Sequence, residues 1–403
     1  MHTYVVGIIV DCPELILFFI GLYYVLAGVF AFAKKADIPE ADGKLRRFAV
    51  IIPAHNEGHV IGQLLKSIAC QQYPKDRLDV FVVADGCTDN TAQIAACFGA
   101  KVLIKSDNQS KAKAVEYAVN HILSLDTSYD CIAVFDADNV LKKDCILRLN
   151  DMLGCGYEVV QCRVDAKNPD ENWLTAAYSV WHILECRFGK LGSHNLGLGC
   201  KLSGTGFAIS IDTLRKCPWD CDSMAEDLEY TMKLGLKGIK PGFAMKAVVY
   251  DEKPASFKTS VMQRCRWAQG IVDVQGRYGF TLLRRRKFGL WLSLYGDFLG
   301  QFTYALFTLI SIFSTVSILF DYSFPLCGLW AQPVSYVALN IYLGIGALCA
   351  FAGLVIDKKL NRYTIFNLFG LMLYMLSWIP IGIAGAFRHN KKEWYHTEHT
   401  GSF

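Results

Sequence analysis

The chain has 403 residues, 53% of them hydrophobic, and a formal net charge of +4 at pH 7. This composition favours a membrane protein with a sizeable soluble part, and the length allows one large domain or two ordinary ones. The charge is too small to indicate a nucleic-acid partner, and we expect none. The 15 cysteines show no CxxC pair and no regular spacing. This pattern argues against a zinc site or a disulfide framework and favours reduced thiols in the cytosol.

The first predicted element is an uncharged apolar stretch at residues 15–33. Its length is close to the roughly 20 residues that a membrane span requires. A secretory signal peptide is the alternative, but no small-residue cleavage site follows, and Lys34 and Lys35 flank the stretch on the wrong side. We therefore predict an uncleaved N-terminal anchor over residues 1–36.

Between residues 37 and 290 no such stretch occurs, and apolar strands alternate with helices. Strands are predicted at "FAVII" (48–52), "LDVFVVAD" (78–85), "AKVLI" (100–104) and "DCIAVFDADN" (130–139). Helices are predicted between them from the helical spacing of apolar residues, for example at Ile61, Leu64, Leu65 and Ile68. The alternation predicts an α/β fold with a mostly parallel sheet and helices on both faces.

Three of these strands end in polar residues, in the segments "PAHNE", "ADG" and "DAD". Ligands bind beyond the C-terminal strand ends of such sheets, so this convergence indicates a substrate site. Asp136 and Asp138 place two carboxylates at alternate positions, where they can hold a hard divalent cation that bridges phosphates. A solvated acidic turn is the alternative for this pair. An ordinary strand-to-turn Asp-Gly is the alternative for Asp85.

A glycine-rich segment follows at residues 192–210, "GSHNLGLGCKLSGTGFAIS". It lacks the GxGxxG order and does not follow the first strand, so it is a poor match to a dinucleotide-binding loop. A flexible loop is one interpretation. The other is backbone that approaches a ligand closely, with Gly204, Thr205 and Gly206 lining the approach.

A helix is predicted from Ser223 to about Lys237, in "SMAEDLEYTMKLGLKG". Its first turn carries Glu226 and Asp227. The two acids either complement the positive end of the helix dipole, or one of them faces the cleft as a general base. This segment alone is compatible with both interpretations.

Residues 256–290 are predicted to form an amphipathic segment at the membrane surface. The segment contains "VMQRCRW" (261–267), which combines a glutamine, two arginines, a cysteine and a tryptophan, and it includes the basic run "RRRK" (284–287). A basic helix lying on anionic lipid is one interpretation. Part of a catalytic site is the other.

Three further uncharged stretches, at residues 298–320, 322–356 and 363–387, predict membrane spans within a C-terminal region, 291–388. Basic residues after the first span and before the second place the soluble domain in the cytosol of a multi-pass cell-membrane protein. Three C-terminal spans would leave the tail, 389–403, outside, whereas its basic start favours the inside. Pro380 could break the last stretch into a re-entrant pair, so the number of spans stays open.

Taken in order, "PAHNE", "VVADGCTDNT", "FDADN", "SGTGFAIS", "AED" and "QRCRW" resemble the motifs of the membrane-embedded family 2 glycosyltransferases. These are the hyaluronan, chitin, cellulose and poly-N-acetylglucosamine synthases. The resemblance covers about residues 15–390. It implies a Rossmann-like, glycosyltransferase-A fold with N-terminal and C-terminal transmembrane helices, in which residues 37–255 form the cytosolic transferase domain.

The resemblance also implies a nucleotide site and a metal site. Asp85 is expected to contact the nucleotide base, and Ala54 and Glu57 are expected to lie near uridine. Asp136 and Asp138 are expected to contact UDP and to hold Mg²⁺ or Mn²⁺. All five residues stand in motifs that match those of the family.

Two other motifs depart from the family pattern by one residue each. Lys111 stands in "SKA" where the family has "GKA", and it is expected to contact phosphate. Asp227 stands in "AED" where the family has "TED", and it is expected to be the catalytic base beside Glu226. In that motif Ala225 replaces a threonine, which removes a hydroxyl and keeps the acid.

Gln263, Arg266 and Trp267 match the Q-x-x-R-W motif, which in the synthases lies beside the acceptor at the cytosolic face of the membrane. The residue types suit that place. An arginine stabilises the negative charge that develops on departing UDP, a tryptophan face stacks on a sugar ring, and a glutamine holds hydroxyls or a phosphate.

The resemblance implies an inverting, metal-dependent transferase that moves a sugar from a UDP-sugar to a growing β-linked polysaccharide and extrudes it through its own channel. Expected partners are the donor, a polysaccharide or glycolipid acceptor, membrane lipid and accessory secretion proteins. The alternative is a non-processive enzyme that adds one sugar to a lipid-linked acceptor or glycolipid. A transporter is disfavoured because the spans carry no charge, and an inactive relative is disfavoured because all four candidate aspartates are present.

Overall fold

The computed structural model of the chain describes residues 28–33, 41–107, 110–296, 316, 344, 347–349, 351–360 and 362–388. The expected spans at 15–33, 298–320 and 322–356 lie largely outside these residues, and the tail at 389–403 lies wholly outside them.

Eight strands form one sheet in the part of the chain that the structure describes. They are β1 Phe48–Ala54, β2 Leu78–Asp85, β3 Lys101–Lys105, β4 Cys131–Val134, β5 Val140–Leu141, β6 Val159–Ala166, β7 Phe207–Ser210 and β8 Gly242–Asp251. Their order across the sheet is β3-β2-β1-β4-β7-β6-β8-β5. The first four strands pair in parallel, as do β6 and β8. The α/β fold is confirmed, but β7 and β5 pair antiparallel with their neighbours, so the sheet is mixed.

Helices cover the sheet and extend beyond it. The longer ones are α1 Ile61–Ala69, α2 Thr91–Cys97, α3 Lys111–Ser124, α4 Cys145–Gly154, α5 Trp173–Leu184, α6 Ile211–Lys216, α7 Glu226–Leu236, α8 Phe257–Arg284 and α9 Arg362–Arg388. A 3-10 turn spans Lys75–Arg77. The helix α5 continues through the π-helical Glu185–Leu191 into the helical Gly192–Asn195. The glycine-rich segment is therefore not one loop, because it begins as helix and ends as strand β7.

Alternate residues of β1 face two separate apolar cores. Val50 and Ile52 pack beneath α1 and α4, whereas Ala49 and Ile51 pack beneath α3. This period of two is what a strand buried on both faces requires. Both faces of the sheet are therefore covered by helices, as the sequence predicts.

The helix α9 packs along α5 and α8. Their shared cluster of buried residues consists of Leu174, Ala177, Tyr178, Ala268, Tyr374, Trp378 and Ile381. Pro380 lies inside α9, which is one continuous helix and not a re-entrant pair. Within the described residues, Gly370–Phe387 is the one stretch of helix that is long and apolar enough to cross a membrane.

Arg264 is fully buried between α8 and α9. Its Nη1 donates hydrogen bonds to the Tyr374 carbonyl at 3.3 Å and to Ser377 Oγ at 2.6 Å. The guanidinium carbon lies 4.6 Å from the ring centroid of Tyr374 and 5.5 Å from that of Trp378. Aromatic faces attract a desolvated cation, so these contacts couple the two helices.

Replacing Arg264 with alanine is expected to destabilise the fold by about 3 kcal/mol, because it removes charged hydrogen bonds and leaves a cavity. Thermal unfolding in detergent would measure the loss. The matched control is Arg285→Ala, since Arg285 is exposed at the end of α8. Equal melting temperatures for the two variants would contradict a structural role for Arg264.

Candidate active site

One cavity of about 370 Å³ lies beyond the C-terminal ends of β1, β2 and β4. Its wall contains nearly all of the residues that the sequence motifs single out. They are Ala54, Glu57, Asp85, Lys111, Asp136, Asp138, Gly204, Thr205, Glu226, Asp227, Gln263, Arg266 and Trp267. Motifs that are up to about two hundred residues apart in the chain therefore converge on one site.

Gly206 is the predicted site residue that does not line this cavity. A Cβ at Gly206 would lie 2.8 Å from Val249 Cγ1 on β8 and 3.2 Å from Cys162 Cβ on β6, so these strands leave no room for a side chain. Gly204 is different, since a Cβ there would lie 3.6 Å from Lys111 Nζ and 3.7 Å from Asp227 Oδ2. Both glycines have a φ of +67°, which a side chain would strain.

The loops after β1 and β2 are joined by side-chain hydrogen bonds. Asn56, with a φ of 55°, accepts from the Thr88 amide at 2.8 Å. The Gly58 amide donates to Asp89 Oδ2 at 2.9 Å, and the Glu57 amide donates to Thr91 Oγ1 at 2.9 Å. These bonds hold the "PAHNE" and "ADGCTDNT" turns together at the rim of the cavity.

Asp85 ends β2 inside the cavity and is 4% exposed, so it is not an ordinary solvated turn residue. Burial raises the pKa of its carboxyl, and the ion pair with Lys105 Nζ at 3.0 Å opposes that rise. The ion pair with Lys105 therefore fixes the orientation of the Asp85 carboxylate, and burial keeps it away from bulk water. Its oxygens face a pocket where a polar ligand group can reach them.

Three carboxylates could hold a divalent cation. One oxygen from each of Asp136, Asp138 and Asp251 lies within 4.8 Å of the others. Asn139 orients two of them, because its Nδ2 donates to Asp138 Oδ1 at 3.1 Å and to Asp251 Oδ1 at 2.9 Å. Asp138 is 3% exposed, which excludes the solvated acidic turn for this residue. Oxygen ligands of this kind suit Mg²⁺ or Mn²⁺.

Asp251 was not predicted from the sequence. It ends β8, whose neighbour β6 holds it next to Ala166 in parallel register. Its segment, "VVYDE", matches no motif with a known spacing. Only the pairing of β8 into the sheet brings this acid beside the "DAD" turn.

Lys111 begins α3 and points into the cavity. Ser110, which replaces the expected glycine, caps the helix by accepting from the Lys113 amide at 3.3 Å. Lys111 Nζ forms an ion pair with Asp136 and lies 3.8 Å from Glu226. Burial alone would lower the pKa of Lys111, but these two carboxylates raise it above the usual range, so the ammonium stays charged. Lys111 therefore lies in the site although Ser110 replaces the glycine of the "GKA" pattern.

Glu226 and Asp227 form the first turn of α7 and face the cavity rather than solvent. Glu229 binds the turn before them, because its Oε2 accepts from the Asp222 amide at 3.0 Å and the Ser223 amide at 2.8 Å. Burial raises the pKa of Asp227 and raises that of Glu226 to about 7. The general-base interpretation is therefore geometrically possible, since the acids are inside a polar cavity.

The close approach of Ala225, the first residue of the "AED" motif, explains why residue 270 is a glycine. A Cβ on Gly270 of α8 would lie 2.6 Å from the Ala225 nitrogen. The helix that carries Gln263, Arg266 and Trp267 thus touches the turn that carries the acids. Burial lowers the pKa of Arg266, while Glu226 and Asp136 act in the opposite direction.

The raised pKa of Glu226 predicts a change of stability with pH. Its folded pKa, about 7, exceeds its ordinary value of 4.5 because of burial, so between these values the folded state binds more protons than the unfolded state. The free energy of unfolding is therefore expected to fall as the pH rises from about 4.5 to about 7.

The Glu226→Gln variant is expected to lose this part of the slope and to melt higher than the wild type at pH 8. Melting temperatures measured without nucleotide or metal would show the difference. Glu158→Gln is the control, because Glu158 lies outside the cavity and pairs with Lys216. An unchanged slope in Glu226→Gln would contradict the buried, protonated carboxyl.

Comparisons with known proteins decide the family. The family model described as "Glycosyltransferase like family 2" matches residues 46–270. A probable glycosyltransferase, YdaM of Bacillus subtilis (strain 168), is 30% identical over 383 residues, which cover 88% of this chain and 87% of that protein. The chain belongs to glycosyltransferase family 2. It is therefore an enzyme that transfers sugars.

Other relatives of this family 2 glycosyltransferase carry two kinds of name. A beta-monoglucosyldiacylglycerol synthase of a Nostoc species is 26% identical over 412 residues, covering 96% of this chain and 84% of that protein. A poly-beta-1,6-N-acetyl-D-glucosamine synthase of Staphylococcus epidermidis is 21% identical over 389 residues, covering 90% of this chain and 88% of that protein. One name denotes a glycolipid product and the other a polysaccharide.

A solved structure shares the fold. The mannosyltransferase PcManGT of Pyrobaculum calidifontis, in complex with GDP-Man and Mn²⁺, aligns with a TM-score of 0.57. The identity is 19%, and the alignment covers 95% of this chain and 98% of that one. This likeness supports a glycosyltransferase-A-like α/β fold for this family 2 glycosyltransferase.

Proposed function

We propose that this enzyme is an inverting, metal-dependent transferase that uses a UDP-sugar as donor. One observation carries the proposal. The acids of α7, the "DAD" carboxylates and the Q-x-x-R-W side chains of α8 line the same cavity. Direct displacement requires a base, a cation and acceptor-binding groups around one anomeric carbon, and residue types suited to these three roles line one cavity.

In the proposed reaction Asp227 accepts the proton of the acceptor hydroxyl while that oxygen attacks the anomeric carbon. The bond from that carbon to the diphosphate oxygen breaks, and UDP leaves with the electron pair. A single displacement inverts the anomeric configuration and needs no covalent enzyme intermediate. Burial raises the pKa of Asp227 from its ordinary value, which makes it a stronger base for this proton.

Asp136, Asp138 and Asp251 would hold Mg²⁺ or Mn²⁺. When bound, the cation neutralises negative charge on the leaving diphosphate. The Mn²⁺ in the structurally similar PcManGT supports this choice. Lys111 and Arg266 line the same wall and would bind phosphate oxygens directly.

For the nucleotide we propose the rim formed by the loops after β1 and β2. Asp85 would accept hydrogen bonds from the base, with Ala54 and Glu57 beside the uridine. The cross-bonded turns keep these groups in place before the donor arrives, which lowers the entropy lost on binding. Gly204 and Thr205 would line the approach of the diphosphate from the opposite side.

For the product we propose a β-linked polysaccharide that the enzyme extrudes as it grows. The Q-x-x-R-W side chains at the cavity and the resemblance to the poly-beta-1,6-N-acetyl-D-glucosamine synthase support it. A multi-pass chain with a cytosolic catalytic domain is part of this proposal. Accessory secretion proteins would be partners for export.

A glycolipid product is the second candidate, and different observations favour it. The beta-monoglucosyldiacylglycerol synthase of the Nostoc species is more similar to this chain than the poly-beta-1,6-N-acetyl-D-glucosamine synthase of Staphylococcus epidermidis, at 26% against 21% identity. In addition, α9 brings Trp378 into the cavity wall, so an apolar helix borders the site where the acceptor arrives. If α9 borders the lipid layer, a lipid acceptor would be separated from the cavity only by this helix.

We also propose that the end of α8 lies on the membrane surface. The basic residues Arg284 to Lys287 are adjacent to Phe280 and Phe288, which are 76% and 58% exposed. Cationic side chains attract anionic lipid headgroups, and exposed phenylalanines enter the acyl boundary. This arrangement would hold the cavity at the level where a lipid acceptor is found.

The test uses the purified full-length protein in detergent with Mg²⁺ or Mn²⁺. UDP-glucose, UDP-N-acetylglucosamine and UDP-galactose are offered singly and in pairs, with and without diacylglycerol, and UDP release and product mass are followed. A high-mass product from one donor supports the polysaccharide synthase. A product that is diacylglycerol plus one sugar supports the second candidate. No UDP release from any donor would reject the proposed donor class.

A further inference from the structure

One histidine in the cavity wall stands outside every motif and outside the mechanism above. His182 lies on α5, lines the same cavity as the acids of α7, and is 8% exposed. Among the described residues neither Nδ1 nor Nε2 has a hydrogen-bond partner. Buried side-chain nitrogens in native proteins are normally paired, so an unpaired imidazole that lines a cavity indicates a ligand group.

The surroundings of His182 define the chemistry of that group. Burial, together with the charges of Lys253 and Lys190, keeps the pKa of His182 well below its usual value, so the ring is neutral. A neutral imidazole offers one donor and one acceptor. A hydroxyl group has the same pair of functions, whereas a phosphate or carboxylate only accepts.

Tryptophans form the adjacent part of the wall. The Trp181 ring lies 4.7 Å from the His182 ring, and Trp267 stacks with Trp378 at 6.3 Å with an angle of 19° between the rings. Trp181, Trp267 and Trp378 all line the cavity. Flat aromatic surfaces cover the apolar faces of sugar rings, whose hydroxyls point outward to polar groups.

We infer that His182 binds a sugar hydroxyl in a carbohydrate subsite formed with Trp181 and Trp378. The inference deepens the proposed function and rests on it for the identity of the ligand as a sugar. The hydroxyl belongs either to the sugar that is transferred or to the acceptor. Both sources offer the same chemistry, and binding measurements separate them.

The test measures ligand binding by intrinsic tryptophan fluorescence, because Trp181 touches His182. Wild-type protein and the variants His182→Phe and His182→Gln are titrated with UDP-glucose or UDP-N-acetylglucosamine. In a second arm they are titrated with the methyl β-glycosides of the same sugars in the presence of UDP. Phenylalanine keeps the ring without hydrogen bonding, and glutamine keeps a donor and an acceptor.

We expect His182→Phe to raise the Kd about tenfold in one of the two arms, with His182→Gln recovering most of the loss. A higher Kd for the UDP-sugar would assign the hydroxyl to the transferred sugar. A higher Kd for the methyl glycoside would assign it to the acceptor. His194→Phe is the matched control, because His194 is buried on the continuation of the same helix and does not line the cavity. It is expected to leave both constants unchanged.

Unchanged Kd values for His182→Phe in both arms, with normal melting, would overturn the inference. If the phenylalanine variant does not fold, a deoxy-sugar series on wild type and His182→Gln replaces it, and equal sensitivity to every missing hydroxyl overturns the inference. The outcome is separate from that of the proposed function. Binding needs no turnover, so a wild type that binds sugar through His182 but releases no UDP would reject only the transfer chemistry.

Discussion

The Asp227→Asn variant is expected to lose sugar transfer by about three orders of magnitude in kcat, because it lacks the carboxylate that accepts the acceptor proton. Asparagine has nearly the same shape, and its amide oxygen can still accept from the Leu228 amide, which now donates to Asp227 Oδ1 at 2.8 Å. The turn at the start of α7 is therefore expected to keep its structure. Donor binding is expected to stay within about twofold of the wild type.

Single-turnover UDP release and donor binding, measured on the same preparation, test this expectation. Asp212→Asn is the matched control, since the side chain of Asp212 is 78% exposed and lies on α6, away from the cavity. A general base also leaves a signature in the pH profile, because its loss removes the rise of kcat on the acid side. Activity of Asp227→Asn within tenfold of the wild type would assign the base to another residue, with Glu226 the first alternative.

The Asp138→Asn variant is expected to lose about a thousandfold in activity and to require far more Mn²⁺ for half-maximal rate. Asp138 is the most buried of the three clustered carboxylates, and its Oδ2 accepts from the Glu252 amide at 3.2 Å. Neutralising it removes one charge from a site whose other two members, Asp136 and Asp251, each pair with a lysine. The cation would therefore lose its best-oriented ligand.

Metal titrations of wild type, Asp138→Asn and Asp251→Asn separate the two acids. We expect Asp251→Asn to weaken metal dependence less, because Lys253 already neutralises part of its charge. Chelation with EDTA should abolish wild-type activity, and added Mn²⁺ should restore it. Activity that survives EDTA, or an Asp138→Asn variant with wild-type metal dependence, would argue against a metal site at these carboxylates.

The first four strands and the site residues beside them could be predicted from the sequence because their signals are local. Each strand is a short apolar run, helices with apolar spacing connect β1 to β2, β2 to β3 and β3 to β4, and polar residues stand directly after β1, β2 and β4. A parallel sheet then brings those ends to one edge. The convergence of Asp85, Asp136 and Asp138 follows from that rule alone.

The second half of the sheet could not be predicted in the same way. The strand β7 has four residues after a glycine-rich segment and is extended because β4 and β6 flank it. The antiparallel pairing of β7 depends on strands that are distant in sequence, so no local sequence pattern predicts it. For the same reason Asp251, at the end of β8, was missed.

Residues of the helical wall were missed for another reason. His182 and Trp378 lie in stretches whose apolar spacing indicates ordinary packing, and a single histidine or tryptophan on such a face carries no motif. Their approach to the cavity results from how α5 and α9 dock against α8. Docking of helices is a tertiary property, which spacing within one helix does not encode.

The close docking of α9 has a consequence for any attempt to shorten this enzyme. A fragment that ends near residue 290 would contain every motif residue, yet Tyr178, Ala268 and the guanidinium of Arg264 would lose the helix that covers them. The cavity would also lose the indole of Trp378. Removing α9 would therefore expose an apolar surface with a buried arginine beside the active site. For this reason we expect that an active fragment must extend to the end of α9.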